Sequence, residues 1–543
     1  MHLPIVFVLL LATSLSVFSS ANAQGPGRPQ RVIIVMMDGF GEDYYRASDM
    51  PTLNRMEREG LYEVAPGLMP SVTNVNNASI ITGEAPEMNG ITGNVFLDPA
   101  TGREEYTEDP KQVLIPTLFE RAGMAGVKSM LLSCKTKTVQ LLRTGAGDTL
   151  SWEFASPEWI RRLGPKPDIY SREVNYWIME AALYSIAHDP ALGLVFIHTT
   201  DYPMHTWAPK SPESREHLHR MDGYIARLIQ AAPDAAILIT ADHTVHHKSR
   251  CWDLDKACAE RGLQLKAAIS PEKDRYFKHH LGLGGSAYIY LKDAADSGRA
   301  RKLLMGLAGV EEVISRKEAV RRYRLMPERI GDLMVMADST TVFGHLEKAS
   351  YEQLAAGYRS HGSAYEARVP MFVYNAKGAP GREYFTGNYK LATWLYRTNY
   401  LDSLKINLHM GEPIDSVNFA YKPNVTLTKN LNIFVKTQYQ FWPANADTSR
   451  SFNFNTDSSK RICSIVIVSV LDSNFFKQVK GILGLPTRRV SFGFSGSEES
   501  NATYFWFADS YVYIWSWFAK HEFLVILNRN GNRDDDFLKV KFR

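Results

Sequence analysis

The sequence is poor in three things: cysteine, with four in 543 residues; charge of one sign, since 62 basic and 58 acidic residues leave a formal +4; and long apolar runs beyond its N-terminus. Four cysteines are too few for a fold held by a disulfide framework, so a packed core must carry the stability. The basic residues form no block or stripe that could track a phosphate backbone, which removes duplex nucleic acid from the expected partners. No apolar run after Ala23 is long enough to span a bilayer. There is no internal repeat and no long low-complexity tract.

The one long apolar run, "LPIVFVLLLATSLSVF", is followed by small residues and "ANA". It predicts a signal peptide over residues 1–23, cleaved after Ala23, and export to a periplasm or the exterior. No Lys or Arg precedes the run, only the amino terminus and His2, so an uncleaved anchor is the alternative. In an exported chain Cys251 and Cys258, in "CWDLDKAC", are spaced to close a short loop; the competing reading leaves all the cysteines reduced, and Cys134 reads as a free core thiol.

A chain of 543 residues exceeds what one core usually serves. From Arg31 to about Arg397, "RVIIVMM", "VKSMLLS", "GLVFIHT", "AAILITA" and "DLMVMA" read as strands buried on both faces, the mark of a parallel sheet. Helical stretches alternate with them, among them "SREVNYWIMEAALYSIAHD" and one opened by Ser211 with Pro212 at its first position. The expectation is an α/β domain over 24–397 with a doubly wound, mostly parallel sheet, whose ligands bind beyond the carboxyl ends of the strands. Residues 398–543 are β-branched and aromatic between Asn, Gly and Ser clusters, and predict a β-rich C-terminal appendage with no catalytic constellation of its own.

Polar residues gather at the predicted strand ends. Asp38 closes "VIIVMMD", Asp242 and His243 close "ILITADH", and Asp201 with His205 follows "GLVFIHT". Singly, each has an ordinary reading as a helix cap, a turn former or a solvated imidazole. Together they would put several negative charges on one rim, which is too repulsive without cations between them, and imidazoles added to carboxylates favour zinc over magnesium or calcium. Asp201 and His205, four residues apart, reach one ion across a turn, with His361 of "YRSHGSAYE" as third ligand. Asp38, Asp242 and His243 serve a second ion, completed by Thr73 of "MPSVTNVNNASIITG". At a helix start facing that ion, the Thr73 hydroxyl would be acidified into a nucleophile. Asn94, in "GITGNVF", would donate its amide to an oxygen of the group under attack.

At these residues the chain resembles the alkaline phosphatase superfamily, nucleotide pyrophosphatase/phosphodiesterase branch. The motifs are "MMDG", "SVTNVNN", "GITGN", "TTDYPMHTWAP", "TADH" and "RSHG", in order from about Arg31 to Asn375. The resemblance implies an alkaline phosphatase-like fold, two zinc ions, a threonine nucleophile and a phospho-threonine intermediate. Longer runs, such as "HHLGLGGSAYIYL", "LMPERIGDLMVMAD" and "RSHGSAYEARVP", are most similar to the phosphonoacetate hydrolases. There the likeness implies that Lys135 and Lys137 of "SCKTKT", with Lys248, hold the substrate carboxylate. Expelling a carbon leaving group is feasible only if its charge spreads into that carboxylate, which ammonium groups stabilise. Thr244 stands where the family commonly has Gly, followed by His246 and His247.

The expected activity is thus zinc-dependent hydrolysis of phosphonoacetate or a close phosphonate to phosphate and acetate. One alternative is a nucleotide pyrophosphatase or phosphodiesterase using the same metals; another is a non-catalytic surface or binding protein. The expected partner is a small phosphonate or phosphate ester. A homodimer is compatible with the sequence, which does not set the oligomeric state.

Overall fold

The computed structural model describes residues 30–396 apart from 100 and 277, and, farther on, the strands between Lys422 and Asn528 with a few single residues. The signal expected over 1–23 lies outside the described residues. A seven-stranded sheet forms the centre, in the order Leu61–Pro66, Arg368–Tyr374, Ala236–Thr240, Val32–Met36, Leu192–His198, Lys128–Ser133 and Asp148–Ser151. The last five strands run parallel, while Arg368–Tyr374 is antiparallel to both of its neighbours. Val32–Met36 is buried throughout, as a central strand with both faces covered must be.

Alternation along that strand divides the core. Ile33 and Val35 face one cluster, built with the helices Glu173–His188, Pro212–Ala231 and Pro51–Glu59; Val32, Ile34 and Met36 face the other, built with Thr73–Thr82, Leu118–Met124 and Thr136–Leu142. The doubly wound arrangement follows, because each face of the sheet needs its own helical cover.

One strand departs from expectation. Leu333–Ala337 is apolar and buried, but it lies in a separate antiparallel sheet of four, ordered Leu265–Ile269, Ser286–Leu291, Leu333–Ala337 and Val310–Ser315. An uninterrupted apolar run records burial on both faces, not the sheet or direction. This second sheet is built entirely between leaving the main sheet at Thr240 and rejoining it at Arg368. It brings the segment 270–283 to the carboxyl rim, where the backbone N–H of Asn94 donates to the carbonyl of Pro271 at 2.8 Å.

The loop closure across Cys251 and Cys258 is corrected: both are buried free thiols, as is Cys134. Cys251 sits in a strand and Cys258 in the next helix, each packed into a different apolar cluster. The described C-terminal strands form an eight-stranded antiparallel sheet, with Phe476 against Tyr504 and Trp515 at 4.7 and 4.3 Å between ring centroids. Among the described residues no helix is long and apolar enough to cross a membrane.

Candidate metal centre and nucleophile

The carboxyl ends of three adjacent strands supply the acids. Asp38 follows Val32–Met36, Asp242 follows Ala236–Thr240, and Asp201 opens the short helix Tyr202–Thr206 after Leu192–His198. Gly39 makes the turn after Asp38 with φ of 75°, and a Cβ there would lie 3.0 Å from that of Asp201, so a side chain at residue 39 would crowd Asp201. Two groups result, Asp201 with His205 and His361, and Asp38 with Asp242 and His243, each with ligand atoms within 4.8 Å of one another and each fully buried.

The imidazoles are oriented alike. In His205, His361 and His243 the Nδ1 atom lies 2.7, 2.9 and 3.2 Å from the backbone carbonyls of Arg359, Ser71 and Thr244. A carbonyl only accepts, so each Nδ1 carries the proton and each Nε2 presents a lone pair to the cluster. That is the orientation a metal ligand takes. Nε2 of His361 and Oδ1 of Asp38 are buried without a hydrogen-bond partner, which is costly unless a cation completes them. The donor set therefore fits two divalent cations.

Charge crowding shows in the acidities. Burial and the neighbouring Asp38 push the Asp242 carboxyl well above its usual range. Burial also pushes up Asp38 and Asp201, but Lys135 helps to hold both below theirs. Burial, above all, pulls His243 down to about 3, leaving it neutral and fit to ligate.

Thr73 opens the helix Thr73–Thr82, with Val72 as its N-cap, and its Oγ1 lies 3.4 Å from Nε2 of His243. Asn94 is buried beside it, accepting from the backbone N–H of Asn74 at 3.2 Å. Lys135 lies between the clusters, its Nζ at 2.6 Å from Asp38 and 2.8 Å from Asp201. Lys137, two residues on, is buried and donates to Asp274; burial and the Lys135 charge draw it down to about 8. Lys248 lies elsewhere: it is fully buried against Glu366 at 2.8 Å and the carbonyl of Ser339 at 3.1 Å, and Glu366 in turn accepts from the backbone N–H of Ser363, beside His361. Its ammonium is engaged with groups that brace the loop carrying His361.

Sequence reasoning missed several residues. His198, ending its strand, lies with Nε2 3.2 Å from Asp38 and Nδ1 2.8 Å from the Ser133 hydroxyl. Its place at a strand end was the available signal. Glu272 sits 3.4 Å from Nε2 of His361. His279, which the sequence leaves between substrate contact and simple packing, lies 3.4 Å from Asp201. Glu272 and Asp274 had no signal, since "SPEKDRY" reads as a solvated loop.

Two candidate cation clusters on the carboxyl rim of a doubly wound sheet, one of them with the Thr73 hydroxyl beside it, go with an alkaline phosphatase-like fold. A family-wide match to type I phosphodiesterase / nucleotide pyrophosphatase covers residues 32–364, and the chain belongs to that family. It is similar to the phosphonoacetate hydrolase of Sinorhizobium meliloti 1021 solved with phosphonoformate, at 30% identity and a TM-score of 0.60, over 67% of this chain and 96% of that one. It also resembles an uncharacterized pyrophosphatase/phosphodiesterase of Schizosaccharomyces pombe, 27% identical over 37% of this chain and 40% of the relative. A third likeness is the bis(5'-adenosyl)-triphosphatase of Bos taurus, 23% identical over 46% and 55%. The chain spans about half the length of these two curated relatives.

Proposed function

We propose that the protein is a zinc-dependent hydrolase of phosphonoacetate or a close phosphonate, acting through a phospho-threonine. The observation that carries this reading is the pair of buried lysines beside the acid rim, with Lys135 between Asp38 and Asp201 and Lys137 close by. Hydrolysis of a phosphate ester has no need of ammonium groups on the leaving-group side, whereas a departing carbanion does.

Asp201, His205 and His361 would hold one ion, and Asp38, Asp242, His243 and Thr73 the other. Such ions supply Lewis acidity, lowering the pKa of a hydroxyl or water and neutralising phosphoryl oxygens. Thr73 Oγ, its proton lost to solvent, forms a bond to phosphorus as the P–C bond breaks. The electron pair passes onto carbon and spreads into the carboxylate, where Lys135 and Lys137 stabilise it, and protonation at carbon gives acetate. Asn94 donates to a phosphoryl oxygen. Water then cleaves the phospho-threonine, releasing phosphate and restoring the hydroxyl. With a signal over 1–23 the enzyme would act after export.

A second reading, nucleotide pyrophosphatase or phosphodiesterase, is favoured by the family match and by the curated relatives' names. Phosphate release from phosphonoacetate, measured beside nitrophenol release from a nitrophenyl nucleotide ester, separates the two. The expected result is turnover of the first, lost with a chelator and regained with zinc. Lys135→Ala combined with Lys137→Ala should abolish it; undiminished phosphonoacetate turnover in that double variant would sink the phosphonate reading.

A further inference from the structure

The segment 270–283 brings to the rim an acid that the reaction above does not use. Asp274 is buried, 7% exposed, and its two oxygens have different tasks. Oδ1 accepts from the backbone N–H groups of Arg275 and Tyr276, the latter at 3.2 Å, so the carboxylate is fixed by its own turn. Oδ2 is left to face Lys137, which donates directly to it. Lys137 is itself only 2% exposed, so this pair has little water to screen it.

The neighbouring contacts keep the segment in place. The amide of Asn94 donates to the carbonyl of Glu272 at 3.4 Å, Glu272 faces His361, and Tyr276 donates its hydroxyl to Glu153 at 3.2 Å. Asp274 is therefore presented to Lys137 from a segment tied down on either side of it. The ammonium assigned to the substrate's carboxylate already has a carboxylate in contact, prepositioned by the fold.

Two carboxylates on one buried ammonium repel each other, and the fixed one loses no freedom and little hydration by staying. A carboxylate arriving with the substrate must displace Asp274 or share Lys137 on poor terms. A leaving group without a charge meets no such competitor.

We propose that Asp274 is a specificity-determining residue that competes with the substrate carboxylate for Lys137 and so sets how strongly the site prefers carboxylate-bearing phosphonates over uncharged ones. The proposal rests on reading Lys137 as a carboxylate-binding residue. Removal of the Asp274 charge leaves Lys137 open, and the preference for a carboxylate rises.

The test is calorimetric binding to the full chain in the presence of zinc, with phosphonoformate as the carboxylate-bearing probe and methylphosphonate as the probe without one. Asp274→Asn should raise the ratio of the two affinities by at least ~10-fold. Asp274→Ser, which keeps an oxygen for the Tyr276 N–H, should do the same and serves if the first variant fails to fold. Adding Lys137→Ala to either should cancel the gain, because the gain runs through that ammonium. A folded variant whose ratio stays level or drops overturns the proposal, since Asp274 would then only position Lys137. Failure of the functional reading looks different: wild-type protein releases no phosphate from phosphonoacetate, yet the affinity ratio still rises in the variants.

Discussion

At the scale of single residues, Thr73 and Glu366 invite opposite kinds of test. Thr73→Ala removes the proposed nucleophile and should lower kcat by ~10³-fold or more, while Thr73→Ser retains a hydroxyl and part of the activity; steady-state kinetics on zinc-loaded protein decide. Glu366 concerns stability. Burial pushes its carboxyl up, but Lys248 and His246 outweigh that and hold it down at about 2, from an ordinary 4.5. A depressed carboxyl contributes its full stabilisation above pH about 4.5 and loses it as pH falls toward about 2, a difference of about 3 kcal/mol. Denaturant melts between pH 2 and pH 6 should show the acid limb flattened in Glu366→Gln. Lys248→Met leaves that buried carboxylate without its ammonium, with His246 and Ser363 as its remaining partners, and should destabilise by ~3 kcal/mol at neutral pH. Asp38, Asp201, Asp242 and His243 were legible because each closes a strand or follows one, where a polar side chain after an apolar run stands out; His198 held the same kind of place and was passed over. Lys248 was not, because Glu366, more than a hundred residues later, gave no sign in one dimension that it would reach the same ammonium.

At the scale of elements, the two-residue strand Arg359–Ser360, paired with His246–His247, sets where His361 begins. The next residue, Gly362, has φ of 102°, and a Cβ there would lie 2.8 Å from the backbone N of Gly285, an approach between two segments that only glycine permits. A Cβ at Gly285 would lie 2.5 Å from that of Ser363. Gly285→Ala should therefore push the His361 loop outward, costing ~1–3 kcal/mol in a thermal melt. Metal analysis should find the Asp201, His205 and His361 cluster depleted and the other retained; two tightly held ions would count against this account of the loop. Strand positions were readable from their apolar runs. The partners of Leu333–Ala337 were not, since sheet membership depends on hydrogen bonds made to distant strands.

At the scale of the molecule, the last main-sheet strand ends at Tyr374 and the family match ends at residue 364, both ahead of the C-terminal sheet. A chain ending at residue 397 should unfold in one cooperative transition and bind two zinc ions, as judged by calorimetry and metal analysis. If it failed to fold, the C-terminal strands would belong to the hydrolase fold itself. Local pattern determined the alternation of strands and helices, the polar residues on the rim, and the likeness to a metallohydrolase family, because periodicity and side-chain chemistry are properties of neighbours in the chain. The inserted antiparallel sheet, the contacts of Glu272 with His361 and of Asp274 with Lys137, and the free state of Cys251 and Cys258 were decided only in three dimensions. They depend on which surfaces meet after folding, and an isolated stretch of sequence carries no record of the partner that packs against it.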